Sequence, residues 1–137
     1  MANYKISDIE GIGPKYAEKL SGANIKSVHA LLKAGSSKSG RKAIAKETGI
    51  DETLILKWVN MADLYRVKGI GSEYSELLEK AGVDTVKELR NRNPENLHAK
   101  LTEVNSQGRA LVRRVPTLKE VTAWIERAKK LEPMVTY

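Results

Sequence analysis

Ile9-Glu10-Gly11-Ile12-Gly13-Pro14-Lys15-Tyr16 returns fifty-eight residues later as Val67-Lys68-Gly69-Ile70-Gly71-Ser72-Glu73-Tyr74. The match extends without a gap: Glu18 and Leu20 fall on Glu76 and Leu78, and Ala23, Val28 and Leu31 on Ala81, Val86 and Leu89. Trp58 answers Trp124 once eight extra residues are admitted in the second copy. The repeat is about 60 residues long, above the usual solenoid period, so two copies predict a pseudo-twofold pair, not an array.

Outward from each turn the pattern is helical. Residues 3–9 are expected to form a short helix with Tyr4, Ile6 and Ile9 on its apolar face. Gly11-Ile12-Gly13 breaks it, and Pro14 suits the first turn of the next helix, which runs to about Leu20 with Gly22 as its stop. Ser27 caps a helix over 28–34, residues 35–40 read as a polar loop, and a helix over 41–48 stops at Gly49. Asp51 caps a helix whose Leu54, Ile55, Trp58 and Val59 share a buried face, and which leads directly into the second repeat. There, Thr85 with Glu88 and Thr117 with Glu120 have capping-box spacing. Asn93-Pro94 starts a helix to about Val104, and the last helix, 118–131, buries Val121, Trp124, Ile125, Ala128 and Leu131. Strand signals are negligible. The expected fold is all-α: repeat 1 over residues 1–62 and repeat 2 over 63–137, joined without a Pro/Gly-rich linker and packed as one compact unit.

Composition narrows the chemistry. The chain has 137 residues, no Cys and no Phe, so disulfides and thiolate metal sites are excluded and the core must be Leu, Ile, Val and Ala with two Trp and five Tyr. No apolar run approaches a membrane span, and Met1–Lys5 is too polar for a signal peptide, so a cytoplasmic location and no membrane partner are expected. The net charge is +7, which favours a polyanionic partner such as nucleic acid.

A helix start leaves backbone N–H groups unpaired at the positive end of the helix dipole, which makes an anion site. Two glycines before it let the backbone approach the anion and adopt positive φ. Ile12, between them, can anchor the flanking helices. A dinucleotide fingerprint would need a third glycine and a preceding strand, and a P-loop would need Gly-Lys-Ser/Thr; neither is present. A tight inter-helix turn without a ligand stays open.

With its flanks, Ile6 to Leu20 resembles the helix-hairpin-helix motif, a sequence-independent clamp on the DNA backbone found in polymerases, ligases, glycosylases and nucleases. The wider pattern takes in 81–89, 93–101 and 112–121. Together they resemble a bacterial family of tandem helix-hairpin-helix domains, the DUF4332 type, over nearly the whole chain. That family is similar to the DNA-binding helical region of flap endonucleases without the catalytic domain. The resemblance implies a SAM/helix-hairpin-helix-like fold. It also implies phosphate contacts from the amides of Gly11, Ile12, Gly13 and Gly69, Ile70, Gly71, supported by Lys15. Hairpins of this kind also hold a monovalent cation on backbone carbonyls; no other cofactor is implied. The second copy departs from the first: Ser72-Glu73 replaces Pro14-Lys15, and Glu73, Glu76 and Glu79 form an acidic stripe. The phosphate contact is therefore expected first at Gly11–Lys15, with the second turn open to a structural or protein-binding role.

The basic residues cluster at matching places. Residues 1–62 hold ten Lys/Arg against six Asp/Glu, and 63–137 hold fourteen against eleven. Lys33, Lys38, Arg41, Lys42 and Lys46 in the first repeat, and Arg109, Arg113, Arg114 and Lys119 in the second, are candidates to straddle a duplex backbone. The nucleic-acid contacts expected among them are Lys38, Arg41, Lys42, Arg109, Arg113 and Arg114. His29 and His98 stand alone, no nucleophile–base motif occurs, and the acids are scattered, so catalysis and a metal centre are not expected. The expectation is a non-catalytic protein that binds duplex DNA through phosphates. A protein-interaction adaptor or self-assembling module on the same fold is the rival, and an accessory subunit of a DNA enzyme a third reading.

Overall fold

The structure, a computed structural model, describes residues 5–107 and 110–137. Among them it is all-helical. A one-turn 3-10 helix, Ile6–Asp8, precedes eight α-helices: α1 Pro14–Gly22, α2 Val28–Gly35, α3 Lys38–Thr48, α4 Glu52–Leu64, α5 Ser72–Lys80, α6 Val86–Arg90, α7 Pro94–Ser106 and α8 Leu118–Lys129. The chain divides into two units, Leu64–Pro133 and the remainder, and the remainder includes Met134–Tyr137. The C-terminal tail thus belongs with the first unit, where the repeat pattern would have assigned it to the second.

In the first unit α1 and α2 pack on α3. Ile9, Leu20, Leu31, Leu32, Ile55, Trp58 and Val59 are almost wholly buried. Each such aliphatic side chain contributes roughly 1.5–3 kcal/mol on transfer from water. The helix expected over 3–9 is only the 3-10 turn, and Tyr4 lies outside the described residues. Helix α1 stops at Gly22, as expected, but Gly22 is not the residue that reverses the chain. Asn24 reverses the chain in the left-handed region (φ 64°), and the Ile25 amide donates back to Leu20 O at 2.8 Å. Gly82 does the same in the second unit (φ 90°), with Val83 N donating to Leu78 O at 2.8 Å.

The loop expected over 35–40 shrinks to Ser36-Ser37. Ser37 Oγ accepts from Gly40 N at 3.1 Å and so starts α3 three residues early. Gly40 makes this possible, because a Cβ there would stand 2.1 Å from the Ala34 carbonyl oxygen. The other caps follow the sequence: Ser27 Oγ accepts from Ala30 N, Gly49 closes α3 in the left-handed region, and Asp51 Oδ1 accepts from Thr53 N.

In the second unit α5 packs on α7, and α6 and α7 pack on α8, around Leu77, Leu78, Val86, Leu89, Leu101, Val121, Trp124 and Ile125. No separate helix precedes the second glycine turn, since α4 ends at Leu64 and gives way to turns. Thr85 Oγ1 accepts from Glu88 N, but the Glu88 carboxylate lies by Arg92 at 3.4 Å and does not close the box. Thr117 and Glu120 make both halves of theirs. Helix α8 ends at Lys129, leaving Leu131 beyond it and half-buried. Asn105 organises the chain after α7: its Oδ1 accepts from Leu111 N and Val112 N, and its Nδ2 donates to Val112 O. No helix of the described residues is long and apolar enough to cross a membrane.

Candidate functional site

The two glycine turns are built alike. Gly11 and Gly69 have φ of 93° and 99°, a region open to glycine and strained for other residues. Ile12 N donates to Ile9 O and Ile70 N to Val67 O, both at 3.1 Å. Both isoleucine side chains are buried. Ile12 and Ile70 therefore anchor the turns, and their amides are spent inside them. Gly13 and Gly71 are the extended N-caps of α1 and α5, and their carbonyls accept from Ala17 N and Ser75 N at 2.9 Å.

What each turn offers an anion follows from the first helical turn. In α1, Pro14 has no N–H, which leaves the outward amides of Lys15 and Tyr16 and the exposed Lys15 side chain. In α5, Ser72, Glu73 and Tyr74 all present amides, but the exposed side chain is the Glu73 carboxylate. The second turn has a cation the sequence reading missed. Arg127 Nη1 donates to Lys68 O at 2.8 Å and lies 3.6 Å from where a Cβ on Gly69 would be. Its counterpart below the first turn is the buried Met61. Arg127 is three residues after Trp124, one turn along the same helix face, and that spacing was the available signal.

A tryptophan lies under each turn. Trp58 packs edge-on against Tyr16 with ring centroids 5.0 Å apart, and Trp124 against Tyr74 at 5.1 Å. Such offset aromatic pairs contribute about 0.5–1.5 kcal/mol beyond burial. The expected matching Trp positions are thus part of the turns themselves.

The basic flanks divide on inspection. Lys38 and Lys42 are exposed on α3, as are Arg113 and Lys119 before and on α8. Arg41, expected beside them on the surface, is 4 % exposed and is withdrawn from that face. Its guanidinium donates to Gly35 O, Ser36 O and Thr136 O instead. Arg114 is exposed but held by Glu120 through two hydrogen bonds of 2.6 and 3.0 Å. Arg109 lies outside the described residues. His29 is exposed and His98 half-buried, and among the described residues no three His, Asp or Glu gather as a metal site.

The Arg114 hydrogen bond, reinforced by the Thr117 amide, pulls the Glu120 carboxyl down to about 2. A depressed carboxyl stabilises the fold above its unfolded value near 4.5 and loses that contribution as pH falls towards about 2. We expect the Glu120 side-chain carbon, followed by NMR from pH 6 to about 1.5, to titrate well below the ordinary glutamate range, at about 2. In Glu120→Gln the acid limb of the stability curve should flatten over the same window. A Glu120 midpoint near that of ordinary glutamates would refute the pairing in solution.

The turns, their tryptophans and the helices they open define an all-α protein with two equivalent glycine turns, each at the start of a nine-residue helix. Over residues 10–131 the chain matches the family described as Domain of unknown function (DUF4332), and it belongs to that family. No solved structure matches it.

Proposed function

We propose that this protein binds the phosphate backbone of double-stranded DNA, without sequence preference and without catalysis, using its two glycine turns as helix-hairpin-helix elements. One observation carries the reading: both turns put a positive-φ glycine, a glycine N-cap and a helix N-terminus beside a basic side chain, Lys15 in one and Arg127 in the other. Exposed Lys38, Lys42 and Arg113 add charge that attracts phosphate without reading bases. Arg127 also tempers the objection from Glu73, because the second turn carries both signs of charge. It occupies one hairpin carbonyl, Lys68 O, that a bound monovalent cation would compete for.

A random duplex titrated across a salt series tests this. Micromolar affinity at low salt, falling steeply as salt rises, is expected, with Lys15→Ala and Arg127→Ala each flattening the log–log slope by about 0.9. Arg113→Ala should flatten it more than Arg114→Ala, whose charge Glu120 already offsets. Absent or salt-independent binding would overturn the reading and favour the adaptor, for which the exposed Glu73 at the mouth of the second turn speaks.

A further inference from the structure

Two polar groups at the glycine turns have no role in the fold. Trp58 and Trp124 are 1 % and 2 % exposed, yet neither indole N–H has a hydrogen-bond acceptor among the described residues. Folded proteins ordinarily give the indole N–H of a buried tryptophan a partner. Neither nitrogen is sealed from solvent. Both lie at the same place: Trp58 Nε1 is 3.5 Å from where a Cβ on Gly11 would be, and Trp124 Nε1 is 2.9 Å from where a Cβ on Gly69 would be. The edge that carries the proton faces the glycine, and the missing side chain leaves that edge uncovered. Tyr16 and Tyr74 hold the rings from the helix that each turn opens. The placement is the same in both copies although the second carries eight extra residues before its tryptophan.

The geometry points to Trp58 and Trp124 as ligand-facing donors, each giving its indole N–H to an oxygen of a phosphate group held at its glycine turn. This rests on the reading of the turns as phosphate contacts and adds to it a side-chain donor that no charge pattern reveals. The site then has three kinds of donor: the free amides of the helix N-terminus, one indole N–H, and a cation. The indole is fixed in direction by burial, so it costs little ordering entropy on binding. It also explains why glycine stands at 11 and 69 beyond the need for positive φ. Any side chain there would come between the indole and the ligand.

The experiment is a titration of the full chain, ¹⁵N-labelled, with inorganic phosphate and separately with a random duplex, followed in ¹H–¹⁵N correlation spectra. Indole N–H signals are distinct from backbone amides, and Trp58→Phe and Trp124→Phe assign them. Both indole protons are expected to move downfield and saturate together with the amides of Lys15 and Glu73. Amides that move while the indoles stay fixed would overturn this inference and leave the phosphate reading standing. If neither moves and the duplex does not bind at low salt, the phosphate reading falls and takes the inference with it. Trp58→Phe keeps a six-membered ring beside Tyr16 and removes the donor, so duplex affinity should drop about tenfold at unchanged salt slope. An unchanged affinity in a folded Trp58→Phe protein would also overturn the inference. If that variant does not fold, the wild-type spectra decide alone.

Discussion

Arg41→Ala is expected to cost the first unit about 3 kcal/mol, near the top of the range for a single substitution. The guanidinium is 4 % exposed, and its Nη1 donates to Gly35 O at 2.9 Å and Ser36 O at 3.1 Å. These are carbonyls at the C-terminal end of α2, where helix geometry leaves no intrahelical donor and the dipole favours a cation. Nη2 donates to Thr136 O at 2.6 Å, and the guanidinium carbon lies 5.9 Å from the centre of the Tyr137 ring. Alanine would strand the Gly35 and Thr136 carbonyls, leave a void and loosen the C-terminal tail, which the Thr136 amide would still tie to Ser36 O at 2.8 Å. Arg41→Lys should recover less than half of the loss, because an ammonium cannot reproduce the planar fork that serves all three. Urea unfolding followed by circular dichroism measures it. Lys38→Ala and Lys42→Ala, exposed on the same helix, should stay within about 0.5 kcal/mol of wild type. An Arg41→Ala midpoint equal to theirs would show that the buried network is not formed in solution.

Arg41 also shows where sequence reading runs out. Lys38, Arg41, Lys42 and Lys46 form one basic run, and nothing local separates the member that turns inward. Its partners are the end of α2 and a tail ninety-five residues away, so its burial depends on a long-range contact with no periodic signal. The parts governed by neighbours in sequence were legible. Ser27, Asp51 and Thr117 were readable as caps because a cap acts within three residues. The repeated glycine turns were readable because positive φ restricts residue choice. Their two exceptions are instructive. Asn24 takes the left-handed position that Gly82 fills in the second copy, so glycine marks the end of α1 at Gly22 but not the residue that reverses the chain. Gly40, read as loop, is a packing glycine inside α3, because only the fold puts the Ala34 carbonyl against it. Arg127 is intermediate: its distance from Trp124 was visible, but its seat on the Lys68 carbonyl follows from how α8 lies under the turn.

The paired turns predict an ordered set of glycine effects that separates folding from binding. Gly69→Ala should destabilise the second unit by about 3 kcal/mol: left-handed backbone costs a side chain about 1–2 kcal/mol, and the new Cβ would stand 2.9 Å from Trp124 Nε1 in a buried ring that has nowhere to retreat. Gly11→Ala meets the same backbone strain (φ 93° against 99°) but reaches Trp58 Nε1 only at 3.5 Å, an ordinary contact. It should therefore cost about 1–2 kcal/mol, the strain alone. Equal losses would mean that the indole does not limit the second turn. Gly13 and Gly71 are different. Their φ values of −83° and −117° suit any residue, and a Cβ at either would meet nothing within 4 Å. Gly13→Ala should cost under about 1 kcal/mol, the modest preference of an N-cap for glycine over alanine. A Cβ at 13 does, however, stand in the space before the α1 amides, where a phosphate would sit. Duplex affinity is expected to fall about tenfold in a protein that is still folded, which is the size of one lost charge-assisted hydrogen bond. Urea titration should then show Gly69→Ala as the worse folding defect, while Gly13→Ala loses affinity at fixed salt with little loss of stability. A Gly13→Ala protein that is folded and binds the duplex like wild type would remove the first turn from the interface.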